Sequence, residues 1–107
     1  MIGSEIGDHS TAGTIIGMLD GAAVGRSMDE HDHRRTARVI ETAPTGQSSQ
    51  WVNPDTGASD KVTPTRTYDH RGTPCREYTI DVTVGGKTDK VVGTARRQAD
   101  GSWRVQP

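Results

Sequence analysis

The side chains best suited to nucleophilic or metal chemistry in this 107-residue chain are one cysteine and four histidines. Cys75 stands in the stretch HRGTPCREYTI, with Arg76 beside it and His70 shortly before it. A nearby guanidinium favours the thiolate, and a cysteine with a histidine is the minimum for a nucleophile and its base. No further motif joins these residues, so they favour a structural cysteine without a partner in its own chain, open to a disulfide with another chain. The run EHDH places His31 and His33 two apart. On a helix those rings point in different directions, whereas a shared metal wants them four apart. Glu30 and Arg34 have the better spacing and read as a surface ion pair. No metal or cofactor is expected.

Trp51, Asn53, Asp55 and Trp103 form a candidate binding surface, with the indoles as stacking platforms. The competing role is structural. The chain contains no Phe, and a tryptophan supplies the bulk of a thin core. Asn53-Pro54-Asp55-Thr56-Gly57 is also ordinary turn chemistry, in which Asn and Asp satisfy their own backbone. Paired carboxylates, a catalytic triad and a phosphate-cradling loop are all missing. The residues therefore predict a protein that is not an enzyme and has no small-molecule substrate.

Composition agrees with a small domain. Hydrophobic residues make up 30% of the chain, with 13 Gly and 5 Pro, so turns are many and the core is lean. The net charge of -1 provides no single-sign field for nucleic acid. The opening Met1-Ile2-Gly3-Ser4-Glu5 lacks the basic and apolar runs of an export signal.

Residues 1–26 carry glycine at helical spacing: Gly3 and Gly7, then Gly13, Gly17, Gly21 and Gly25. Positions four apart share one helix face. A glycine stripe costs an isolated helix roughly 1 kcal/mol per residue relative to Ala, and it makes sense where another backbone must come close. A partial glycine-zipper helix is predicted, with Ile15, Ile16, Leu19 and Val24 around it. Asp20 near the stripe argues against a lipid-spanning version. Residues 27–46 read as a polar helix and linker, with Ser27 as cap, Glu30 completing a capping box, and Pro44 and Gly46 ending it.

From Gln47 the period changes to two. QSSQWVN, KVTPTRTYDH, CREYTIDVTV, KTDKVVGTARRQ and SWRVQ are strands, separated by PDTGAS, RGTP, GG and ADG turns. Residues 47–107 should form an antiparallel meander of about five strands, giving an α+β fold with the polar helix against one face. Centring a hairpin on Gly85-Gly86 sets Ile80 opposite Val91, Asp81 opposite Lys90, Glu77 opposite Thr94 and Cys75 opposite Arg96.

The glycine zipper followed by WVNPDTG, CREY, GTARR and DGSW, in this order, resembles the rickettsial-type seventeen-kilodalton surface antigens, glycine-zipper outer-membrane proteins of proteobacteria. The resemblance covers nearly the whole chain and implies a lipoprotein-like cell-envelope protein, in the outer membrane or periplasm. It also implies that Met1 falls inside the zipper, making this a shortened form. Such proteins usually carry a second cysteine where this chain has Arg96, so Cys75 matches a half-cystine and the compartment would be oxidising. The expected role is structural or interactive, through self-association or membrane contact by the zipper, or through a periplasmic protein partner. The alternative is a periplasmic inhibitor of a peptidoglycan hydrolase such as lysozyme.

Overall fold

The computed structural model describes Ile15–Ile16 and residues 28–106. Its elements in chain order are β1 (Ile15–Ile16), α1 (Glu30–Thr42), β2 (Ser49–Val52), β3 (Ser59–His70), β4 (Thr73–Val84), β5 (Lys87–Arg97) and β6 (Trp103–Val105). Strands β2 to β6 form an antiparallel meander, and β1 adds to β6 in parallel at the edge. Helix α1 covers one face, so the fold is α+β. Among the described residues no helix is long and apolar enough to cross a membrane.

The hairpins follow from local backbone chemistry. Gly85 and Gly86 both take positive φ, at 57° and 81°, as a two-residue turn matching strand twist requires. Arg71 and Gly72 do the same between β3 and β4. The β4–β5 ladder has the register expected from the Gly85-Gly86 turn: Ile80 faces Val91, Asp81 faces Lys90, Glu77 faces Thr94 and Cys75 faces Arg96. Tyr78, Ile80 and Val82 are buried on the helix side of β4. Val84 shares their parity but lies towards the hairpin tip and is 46% exposed.

Two expectations are corrected. Helix α1 begins at Glu30 with Asp29 as its cap, in place of a Ser27–Glu30 capping box. Asp29 accepts from the Asp32 N–H at 3.1 Å, and Asp32 accepts from the Asp29 N–H at 3.4 Å. Aspartate caps as well as serine, and contacts of Asp32 with the sheet decide between them. The second correction concerns Ile15 and Ile16, expected on a helix. They pair with Trp103 and Arg104 as strand. β-Branched residues suit extended backbone, and the outer edge of β6 offers them unpaired backbone groups. The zipper positions Gly3, Gly7, Gly13, Gly17, Gly21 and Gly25 lie outside the described residues.

The helix stops after Thr42 because Ala43, extended at ψ 138°, precedes Pro44, whose ring disfavours helical geometry there. The core lies between α1 and the sheet. Ile40 and Val39 from the helix meet Trp51, Val62, Tyr78, Ile80, Val82 and Trp103, with Ile15 and Val105 packed at the margin.

Candidate functional site

The polar residues of α1 and the sheet converge on the helix–sheet interface. At the helix start, Asp32 is fully buried. Its carboxylate accepts from the Trp51 indole Nε1 at 2.8 Å and from the Asn53 amide Nδ2 at 2.7 Å. Asn53 is buried too, and its Oδ1 accepts from the Asp55 and Thr56 N–H groups at 2.7 and 3.1 Å. One amide thus orders the Asn53–Gly57 turn and fastens it to the helix. An amide can do both, because its nitrogen donates while its oxygen accepts. The amide of Asn53 and the Asp32 N–H also keep the Asp29 carboxyl below its ordinary range.

Asp60, on β3 opposite Trp51 and Val82, is the other buried acid. Neither of its oxygens has a hydrogen-bond partner among the described residues. Burial, then the neighbouring Asp32 and Asp29, push its pKa up to about 7. Two adjacent buried carboxylates cannot both ionise cheaply, which favours the protonated form of Asp60.

Arg76 fastens the other end of the helix. Its guanidinium donates to the Ile40 and Ala43 carbonyls, each at 2.6 Å, and to Thr67 Oγ1 at 3.0 Å. Burial lowers its pKa from the ordinary value. The last helical turn has no basic residue of its own, so β4 supplies the cation that the helix C-terminus favours. In the same last turn, Glu41 accepts from Arg97 at 3.0 Å and from the Trp103 indole at 3.1 Å. Tyr78 lies across Gly93, where an added Cβ would come within 2.6 Å of its hydroxyl.

Of the four residues of the candidate surface, Trp51, Asn53 and Trp103 are buried and Asp55 is exposed. Glu30 and Arg34 form the expected exposed ion pair at 3.2 Å. Cys75 is a free thiol, 4% exposed, with Sγ 3.8 Å from the Thr73 carbonyl. At that burial, pairing with another chain requires the sheet to open locally. Asp29, His31 and Asp32 bring ligand atoms within 4.8 Å of one another. Trp51 and Asn53 already donate to both oxygens of Asp32, so the cluster works as a cap fastened to the sheet.

The sequence reading missed Asp32, Glu41, Asp60, Arg76 and Arg97. Strand parity was the available signal: Asp60 alternates with Val62, and Arg76 with Tyr78 and Ile80. Of the motifs WVN, CREY, GTARR and DGSW, Trp51, Asn53, Arg76, Arg97 and Trp103 bond to the helix, while Cys75 and Arg96 face each other on the other side of the sheet. This defines a small α+β domain whose marked residues secure one helix on an antiparallel meander.

The chain belongs to the 17 kDa outer membrane surface antigen family, which matches residues 38–104. The 17 kDa surface antigen of Rickettsia bellii is 48% identical over 87 residues, covering 77% of this chain and 55% of the relative. That of Rickettsia conorii is 48% identical over 83 residues, covering 73% and 52%. That of Rickettsia prowazekii is 46% identical over 82 residues, covering 72% and 52%. The chain spans about half the length of these curated relatives. No solved structure matches it.

Proposed function

We propose that this chain is a non-enzymatic, surface-antigen-like protein of the bacterial cell envelope, with a structural or interaction role. Its family membership carries the reading. The geometry supports it, because Trp51, Asn53, Arg76, Arg97 and Trp103 of the motifs are engaged in holding α1 to the sheet. Residues 47–107 with α1 form the folded unit. The glycine spacing of Gly3, Gly7, Gly13, Gly17, Gly21 and Gly25 is what would associate with another copy or with the outer membrane.

Fractionation of cells producing the full-length protein tests the location. Recovery with the outer membrane, and labelling of intact cells by a membrane-impermeant amine reagent, are expected; recovery in the cytosol would overturn the reading. Replacing Gly17 and Gly21 with Leu should reduce self-association in sedimentation, and unchanged association would remove the stripe from the proposal. Stoichiometric protein should leave lysozyme turnover unchanged. Suppression together with co-elution would move the function to hydrolase inhibition.

A further inference from the structure

The sheet face opposite α1 carries an arrangement that the helix–sheet contacts do not explain. Arg96 of β5 and Arg104 of β6 are direct cross-strand partners. They therefore point to the same face, and Cys75, opposite Arg96 on β4, shares it. Like charges placed directly opposite one another destabilise a sheet. Three other arginines have acidic partners: Arg34 with Glu30, Arg66 with Glu77 and Arg97 with Glu41. Among the described residues, neither Arg96 nor Arg104 forms an ion pair. Asp100 is near enough to feel Arg104, and one oxygen of its carboxylate is engaged in its own loop. There it accepts from the Ser102 N–H at 2.9 Å and the Ser102 hydroxyl at 2.6 Å.

The two arginines line a depression of about 330 Å³ together with Thr73, Gln98 and Gln106, a volume at the small end of ligand pockets. Each glutamine folds back along its own strand. Gln98 donates to the Arg96 carbonyl at 3.1 Å and Gln106 to the Arg104 carbonyl at 3.0 Å. An amide nitrogen has two donors, so each glutamine retains one N–H beyond that bond. The lining thus includes the guanidinium groups of Arg96 and Arg104, the two glutamine amides and the Thr73 hydroxyl, with Arg97 held by Glu41 and no acidic side chain among the lining residues.

We propose that this depression is a binding site for a phosphate monoester, carried either by a soluble molecule or by a lipid headgroup. A carboxylate has two oxygens and fills one guanidinium fork. A tetrahedral dianion has enough acceptors to take both forks from opposite sides and still meet the amides. It also cancels the repulsion between Arg96 and Arg104. The proposal is independent of the zipper and of the envelope role.

Inorganic phosphate titrated into the full chain, at ionic strength matched with chloride, tests the soluble source. Vesicles of phosphatidic acid in phosphatidylcholine, against phosphatidylcholine alone, test the lipid source. Phosphate should raise the melting temperature of the native chain, or the chain should sediment with phosphatidic acid vesicles only. Arg96→Gln and Arg104→Gln should each weaken that binding about tenfold or more. Without phosphate, both variants should melt no lower than the native chain, since each removes one like charge. Arg96→Lys keeps the charge but lacks the fork, and should bind more weakly than Arg96. Arg66→Gln, on the Glu77 pair, should leave binding unchanged. The proposal is overturned if neither phosphate source acts beyond its blank, or if binding persists in both glutamine variants.

Discussion

Cys75 and Arg96 face each other directly across β4 and β5, and the backbone at Arg96 is turned towards β6. The carbonyl of Thr94 accepts from the Gln106 N–H, so alternate residues from Thr94 onward direct their backbone groups away from β4. The pair is therefore of the non-hydrogen-bonded kind, in which Cα atoms lie about 4.5 Å apart. That distance falls within the range a disulfide spans.

Arg96→Cys should accordingly oxidise within the chain. The closed loop is short, and chain-entropy estimates give roughly 3 kcal/mol of stabilisation, less any strain. Removal of a like charge from beside Arg104 acts in the same direction. Alkylation and mass spectrometry should find no free thiol in the oxidised monomer, and its melting temperature should exceed that of the reduced form. Disulfide-linked dimers without a rise in melting temperature would show that side-chain geometry forbids the bridge.

The pH dependence of stability should isolate Asp60. Its proton is held more tightly in the fold, where its pKa is about 7, than at the ordinary 3.8. Between those values the folded state binds more protons than the unfolded chain, so stability falls as pH rises and the contribution is gone above neutrality. The shift sets a ceiling of roughly 4 kcal/mol. Urea denaturation on either side of neutrality should show the native chain weakening with pH. Asp60→Asn supplies a neutral group that can donate to Asp32, and it should flatten that slope and gain most at alkaline pH. Equal slopes in both proteins would assign the pH dependence to other groups.

Turns and strands were legible in the sequence because their signals are local. Gly85-Gly86 set a register that extends to Cys75 and Arg96, and alternation marked Tyr78, Ile80 and Val82 as one face. The helix start was not legible, because Ser27 and Asp29 are both good caps. The choice rests on Trp51 and Asn53, which reach Asp32 from about twenty positions later in the chain. Arg76 was hidden for the same reason: strand parity points it inward, but its partners are helix carbonyls more than thirty positions earlier. Ile15 and Ile16 carried a helical spacing through their glycine neighbours, and their parallel pairing with β6 has no local signature.

The contacts of Asp32 separate capping from fastening. Asp29→Ala removes the cap that accepts from Asp32 N and should cost about 1 kcal/mol. Asp32→Ala removes the reciprocal half of the capping box and leaves the Trp51 indole and the Asn53 amide as buried donors without an acceptor. Each orphaned donor costs about 1–3 kcal/mol, so this variant should lose roughly 3 kcal/mol or more. Tryptophan fluorescence should also shift as the indole loses its partner. Equal losses in the two variants would mean that Asp32 acts only as part of the cap.

Gly93 makes room for an aromatic ring on the sheet surface. It pairs with Tyr78 across β4 and β5, and the ring lies where a side chain at position 93 would stand, with Cζ 2.7 Å from an added Cβ. Tyr78 is itself 1% exposed, so it has little free space to move into. Gly93→Ala should therefore force the ring or the strand aside and cost about 1–3 kcal/mol, the usual range for overpacking a core. Better strand propensity of alanine offsets only part of that. The double variant Gly93→Ala with Tyr78→Leu trades the aromatic ring for a smaller apolar side chain. Denaturant unfolding of the four proteins in this cycle should give a cost for Gly93→Ala that is much smaller beside Leu than beside Tyr. Additive losses would show that Gly93 is required by the backbone and not by the ring.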